Sequence, residues 1–178
     1  MAPNPLQPDP LKLDPPLPVP GFKVGTASCG VKSVALKGRR QDLTLIVADQ
    51  PCAAAGSFTQ NRWRAACVAA GEATIATHGD AVRAIVANAG NANAGVGEME
   101  RVWSQQLISS AASSADVAEE AVLSASTGVI GTPFPIERIT ASMDDAAATL
   151  RPDGWESAAN AIRTTDTFAK WGSATVDG

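Results

Sequence analysis

Apolar and polar positions along the chain change period several times, and each change marks an element. Leu43-Thr44-Leu45-Ile46-Val47-Ala48 is a β-branched-rich run closed by Asp49-Gln50-Pro51, which predicts a strand. Residues 53–58 and 65–70 read as two further strands, separated by the polar turn Thr59-Gln60-Asn61. Ala84-Ile85-Val86-Ala87 predicts a fourth, running into a glycine- and asparagine-rich stretch over residues 88–95. The period then lengthens: Met99, Trp103, Leu107 and Ala111 lie four apart, on one face of a helix. A fifth short strand over residues 122–126 leads into Thr127-Gly128-Val129-Ile130-Gly131. Ile136, Ile139, Met143, Ala146 and Leu150 follow at steps of three and four, and Pro133 and Pro135 mark the start of that helix. Asp153-Gly154 breaks the chain, and a last helix is expected from about Trp155 to Ile162 with Asp153 as its N-cap. Ala174-Thr175-Val176 reads as the beginning of another strand. There is no internal repeat. Strands first, then strands mixed with helices, predict an α/β (α+β) sandwich and not a regular βαβ series.

Residues 1–20 stand apart from this pattern and are expected to form an extended arm, with residues 21–178 as the folded part. Eight of the 12 prolines lie in the arm, and proline removes the amide donor while fixing φ. Deleting residues 1–18 should therefore leave folding intact. The arm has neither the basic start and apolar stretch of a secretory signal nor the arginines of a mitochondrial presequence, which predicts a cytoplasmic protein.

Composition narrows the function classes. The 178 residues are 45% hydrophobic and 18% charged, enough to bury a core. The formal net charge of −4 and the pI of about 4.9 argue against nucleic acid or an anionic membrane as partner. Cys29, Cys52 and Cys67 are an odd number without CxxC spacing and read as buried thiols in a reducing compartment. His78, the lone histidine, sits in a polar turn with no ligand partner at metal spacing, so no metal is expected. Glu119-Glu120 reads as a solvated helix end, because adjacent residues do not share a face. No nucleophile–base pair can be assembled from sequence signals, and no cofactor motif occurs.

Three loops could present donors. The stretch from Gly90 to Gly97 follows a strand and precedes a helix, so its amides could cradle an anion, or it could be a tight turn. Ser126-Thr127-Gly128 could aim a hydroxyl and an amide at one oxygen, as an oxyanion hole requires, or could be a turn. Thr164-Thr165-Asp166-Thr167 could bind a polar substrate or cap a helix end.

At these loops Asn88-Ala89-Gly90-Asn91-Ala92-Asn93-Ala94, Ala125-Ser126-Thr127-Gly128-Val129-Ile130-Gly131 and Ala158-Ala159-Asn160-Ala161-Ile162-Arg163-Thr164-Thr165-Asp166-Thr167 occur in order. Together with Ala54-Ala55-Gly56-Ser57-Phe58-Thr59-Gln60-Asn61 they resemble the ornithine acetyltransferases, also called glutamate N-acetyltransferases, of arginine biosynthesis. The resemblance covers about residues 20–178 and implies a layered sandwich of N-terminal-nucleophile type. It implies a precursor that cuts itself into α and β chains, two of each in the assembly, with the β chain's first threonine as nucleophile. Thr127 and Gly128 would then form the oxyanion hole and Thr164 would contact substrate, with Thr165 a second candidate. N-acetylornithine and glutamate are the implied substrates, acetyl-CoA use is left open, and no cofactor is implied. Ala89 stands where the family often has serine, a change expected to be tolerated. The family's Lys-Gly-x-Gly-Met stretch and its Ala-Thr cleavage point do not occur in the 178 residues, so the chain reads as an α-chain portion, incomplete and inactive by itself. Two rivals are a related N-terminal-nucleophile aminopeptidase and a non-catalytic module binding an anion at the Gly90 to Gly97 loop.

Overall fold

The structure is a computed structural model that describes residues 14–176. Its centre is a four-stranded sheet in sequence order: β1 (Phe22–Ala27), β2 (Leu43–Cys52), β3 (Val82–Asn91) and β4 (Val122–Val129). β1–β2 and β2–β3 are antiparallel, whereas β3–β4 is parallel. A parallel pair needs a crossover, and α2 (Met99–Ala115) supplies it. The remaining helices are α1 (Ala66–His78), α3 (Ile136–Thr140), α4 (Met143–Ala148) and α5 (Trp155–Ala161). The mixed α/β architecture is the one that the order of strands and helices predicts.

The period of two along each strand decides which face meets the helices. Leu43, Leu45, Ala84, Val86 and Val122 are buried with Leu107, Ile108, Ala111 and Ala112 of α2, Ile139 of α3 and Met143 and Ala146 of α4. The buried stripe of α2 is therefore rotated slightly from the expected one, leaving Met99 exposed and Trp103 half-buried. Asp116, left-handed at φ 53°, ends this helix, and the Val117 amide donates back to the Ala112 carbonyl at 3.0 Å. On the other face Thr44, Ile46 and Ala87 share a groove with Ala158 and Ala159 of α5.

Several elements differ from expectation for identifiable reasons. β1 is not signalled by its sequence, since Lys23, Gly25 and Thr26 dilute its apolar character. Gly25 is there because α4 lies directly on the strand: a Cβ would stand 2.0 Å from the Ala146 carbonyl oxygen. Residues 53–58 form no strand. β2 instead continues to Cys52 through an irregularity after Val47, and the Ala54 amide turns away to the Gly79 carbonyl at 2.6 Å. Residues 65–70 open the helix α1, in keeping with their alanine content, and His78 is its exposed last residue. The helix expected from Ile136 to Leu150 is two short ones. Buried Ser142 bonds its hydroxyl to the Arg138 carbonyl at 3.0 Å and breaks the helical repeat between α3 and α4. Gly154, not Asp153, caps α5, because the chain passes so close to β1 that a Cβ at 154 would lie 2.3 Å from the Val24 carbonyl oxygen. Asp153 pairs with Arg151 at 3.3 Å. Residues 174–176 form no strand. Glu119 and Glu120 lie exposed in a short 3-10 turn (Glu119–Ala121), in line with a solvated end.

The expected arm falls partly outside the described residues, at 1–13. Residues 14–20 are tied to the far end of the chain: the Trp171 indole donates to the Asp14 carbonyl at 2.7 Å, and the Leu17 amide donates to Ser173 Oγ at 2.9 Å. Proline content alone does not reveal this seam.

Candidate active site

The ends of β1 and β3, the start of β2 and the last residues of β4 come together at one edge of the sheet. β4 extends past Ser126 to Val129, so Thr127 and Gly128 are strand residues, paired with Ala89 and Gly90 of β3. The turn comes later, at Ile130 and Gly131. Gly128 has φ 135°, and a Cβ on it would lie 2.3 Å from the Gly90 carbonyl carbon. Gly90 has φ 119°, and its own Cβ would meet the Lys32 amide nitrogen at 2.9 Å. Three backbone segments thus stack at van der Waals contact, and only glycine permits it.

A cavity of about 260 Å³ opens on this stack. It is lined by Thr127 and Gly128, by Ala89 and Gly90, by Asp42, and by Thr164 and Thr165 beyond α5. The sequence singles out Thr127, Gly128 and Thr164, and the structure brings all three to this one cavity. Thr127 and Gly128 are exposed and Thr164 is half-buried. A hydroxyl and an amide at one wall can both donate to a carbonyl oxygen bound there. Arg40 of the facing wall donates to the Arg163 carbonyl and so fixes the segment that carries Thr164. Asp166, further along, is hydrogen-bonded by Lys170, and that bond and charge hold its carboxyl below the usual range.

Asp42 is a functional candidate that sequence reasoning misses, because it looks like an ordinary strand head. It is buried, and its two carboxylate oxygens accept the Cys29 and Val31 amides, each at 2.6 Å. Its own amide and carbonyl bond Ala27 and Ala89 at 3.0 Å. Asp42 therefore locks residues 28–31 against the cavity. Asp42→Ala leaves two buried amides unpaired, at ~1–3 kcal/mol each, so chemical unfolding should show a loss of about 3 kcal/mol.

Burial, and after it the Asp42 carboxylate, pushes the Cys29 thiol from 9.0 up to about 12, with the Ser142 hydroxyl opposing. Cys67 is buried and raised by burial in the same way, whereas Cys52 is only half-buried. The folded state holds the Cys29 proton more tightly than the unfolded state does. That contribution to stability is complete below pH 9 and is lost as pH rises towards about 12. Melting temperature measured from pH 8 to 11 should fall less steeply in Cys29→Ala than in the wild type.

The Gly90 to Gly97 loop is not free to cradle an anion. The Glu100 carboxylate accepts the Val96 and Gly97 amides at 2.7 and 3.1 Å, Asn91 Oδ1 accepts the Asn93 amide at 2.8 Å, and the Ala92 amide donates to Val129 at 2.9 Å. Buried Asn91 and Asn93 also anchor the loop through their side-chain amides to Thr132, Pro133 and Glu100. These bonds remove the basis for an anion-binding module there. No group of three His, Cys, Asp or Glu side chains that could hold a metal occurs among the described residues, and no helix among them is long and apolar enough to cross a membrane.

Residues 23–178 match the model of the ArgJ family. The chain belongs to that family. It is 38% identical over 150 residues to the arginine biosynthesis bifunctional protein ArgJ of Chlorobaculum tepidum and 41% identical over 157 residues to that of Symbiobacterium thermophilum. The matches cover 84% and 88% of this chain but 36% and 38% of those proteins, so the chain spans somewhat over a third of their length. The fold is similar to the crystal structure of Bacillus halodurans ArgJ, with TM-score 0.73 and 30% identity over 83% of this chain and 74% of that one. It is also similar to the ornithine acetyltransferase of Mycobacterium tuberculosis complexed with ornithine, with TM-score 0.75 and 28% identity over 84% of this chain and 78% of that one. The mixed α/β fold expected from the motifs is thus shared with solved members of the ArgJ family.

Proposed function

We propose that this chain is the α-chain part of an acyltransferase that moves the acetyl group of N2-acetylornithine to glutamate in arginine biosynthesis. The observation that carries this is the convergence of Thr127, Gly128 and Thr164 on one cavity in a chain of the ArgJ family. The ornithine bound to the Mycobacterium tuberculosis neighbour supports a substrate of that type.

In this reading the nucleophile is the first threonine of a β chain released by self-cleavage, and two α and two β chains assemble in the cytoplasm. Its hydroxyl oxygen attacks the acetyl carbonyl while its proton passes to a base, and the carbonyl oxygen becomes an oxyanion. The Thr127 hydroxyl and the Gly128 amide donate to that oxyanion, where the negative charge is larger than on the bound substrate. Collapse breaks the C–N bond, ornithine leaves with the proton, and an acetyl-threonine ester remains. The glutamate amine then attacks the ester and restores the threonine. The Thr164 hydroxyl holds the substrate's polar end.

The test is acetyl transfer by the full-length protein. N2-acetylornithine and glutamate should give ornithine and N-acetylglutamate in equal amounts, with the parallel double-reciprocal lines of a ping-pong path. Absence of transfer under conditions where the protein is folded and cleaved would overturn the reading.

A further inference from the structure

Thr164 stands near one end of a segment that reaches from the cavity to the proline-rich stretch before β1. No helix or strand is formed over residues 162–176, so side-chain fastenings set where this segment lies. Its near end is held where Arg40 donates to the Arg163 carbonyl. Its far end is held where the Trp171 indole donates to the Asp14 carbonyl at 2.7 Å and Ser173 Oγ accepts the Leu17 amide at 2.9 Å. Between the two, Lys170 hydrogen-bonds Asp166 and lies 5.1 Å from the centre of the Phe168 ring, which keeps residues 166–170 compact.

The stretch that takes the far end is itself fixed. Pro15, Pro16, Pro18 and Pro20 each have a set φ, so residues 14–20 have little freedom to lose. They are also built into the sheet: the Phe22 amide donates to the Val19 carbonyl at 3.1 Å, and the Asp49 amide of β2 donates to the Gly21 carbonyl at 2.8 Å. Residues 16–20 and 171–174 line one cavity of about 620 Å³ together with Ile162, which lies two residues before Thr164. Leu17 is exposed and Trp171 half-buried, so little apolar burial joins the two stretches and the hydrogen bonds carry the seam. We propose that Trp171 is a positioning residue for Thr164, its hydrogen bond to Asp14 fastening the Thr164 segment to the proline-rich strap at residues 14–20. Trp171 does not line the Thr164 cavity, so its effect travels along the segment. This rests on the acetyl-transfer reading, in which the Thr164 hydroxyl holds the substrate, and adds to it the anchor that aims that hydroxyl.

The test measures acetyl transfer from N2-acetylornithine by variants of the full-length protein. Trp171→Phe keeps an aromatic ring and removes the indole donor. KM for N2-acetylornithine should rise about fivefold, the worth of one neutral hydrogen bond, with kcat and melting temperature unchanged. Ser173→Ala should act in the same direction, and deleting residues 1–18, which removes both partners, at least as strongly. Trp171→Phe should add nothing to that deletion and nothing to Thr164→Val. A rise in KM that persists in full on top of Thr164→Val would make Trp171 independent of Thr164. A lowered melting temperature with every rise would make the seam merely structural, and an unchanged KM in both Trp171→Phe and Ser173→Ala would make it idle. Each of these overturns the positioning role while leaving acetyl transfer established. A folded and cleaved wild type that transfers nothing from N2-acetylornithine overturns the acetyl-transfer reading itself, and the positioning role with it.

Discussion

Gly128→Ala should cost the full-length protein nearly all its acetyl transfer and lower its melting temperature by several degrees. The new methyl would lie 2.3 Å from the Gly90 carbonyl carbon and 2.6 Å from the Asn91 amide nitrogen. Both are backbone atoms, so no rotamer change relieves the clash. An alanine at φ 135° is strained as well. The strand pair must open, and clash and strain together come to ~3 kcal/mol or more. Opening it also displaces the Gly128 amide and the neighbouring Thr127 hydroxyl from the cavity wall. Calorimetry and the transfer assay read the two halves separately. A variant that melts with the wild type would mean that β3 and β4 accommodate a methyl where the backbones touch.

Thr127→Val probes the same wall without disturbing it. Valine keeps the branched shape and the strand preference but removes the hydroxyl donor. Thr127 is exposed, so no buried partner is orphaned. Loss of one oxyanion donor corresponds to ~3 kcal/mol, so the acetyl-transfer rate should fall roughly a hundredfold, with the melting temperature within about a degree of the wild type. Unchanged transfer would demote Thr127 to a strand residue without a chemical part.

What could be read from the residues follows from how local each cause is. The central runs Leu43-Thr44-Leu45-Ile46 and Ala84-Ile85-Val86 announce their strands because β-branched density is a local signal. β1 does not, because Gly25 answers to α4, more than a hundred residues away in the chain. The Ala65 to Ala70 run is compatible with strand or helix by composition, and only one-sided burial on Ala66, Cys67 and Gly71 decides for the helix. Thr127-Gly128 looks like a turn, since glycine at positive φ is usually a turn signal, yet here it continues a strand whose neighbour is another glycine. The candidate site was named through motifs, which carry Thr127, Gly128 and Thr164 but not their meeting place. Asp42 goes unmarked because its significance lies in the Cys29 and Val31 amides that it accepts, which no local pattern announces.

The parallel pairing of β4 with β3 has a kinetic consequence. β1 and β2 are joined across residues 28–42, whereas β3 joins β2 only after residues 53–81 have passed through α1, and β4 joins β3 only after residues 92–121 have passed through α2. Loop closure is slower and entropically dearer for such a detour than for a local pairing. Because β4 pairs only with β3, Thr127 and Gly128 ride on a strand that is expected to dock only once β3 is in place. In refolding experiments, protection of the β4 amides from solvent exchange should lag behind that of β1 and β2. Under the proposed oxyanion role, the nascent protein would acquire the means to polarise a carbonyl only once its sheet is complete.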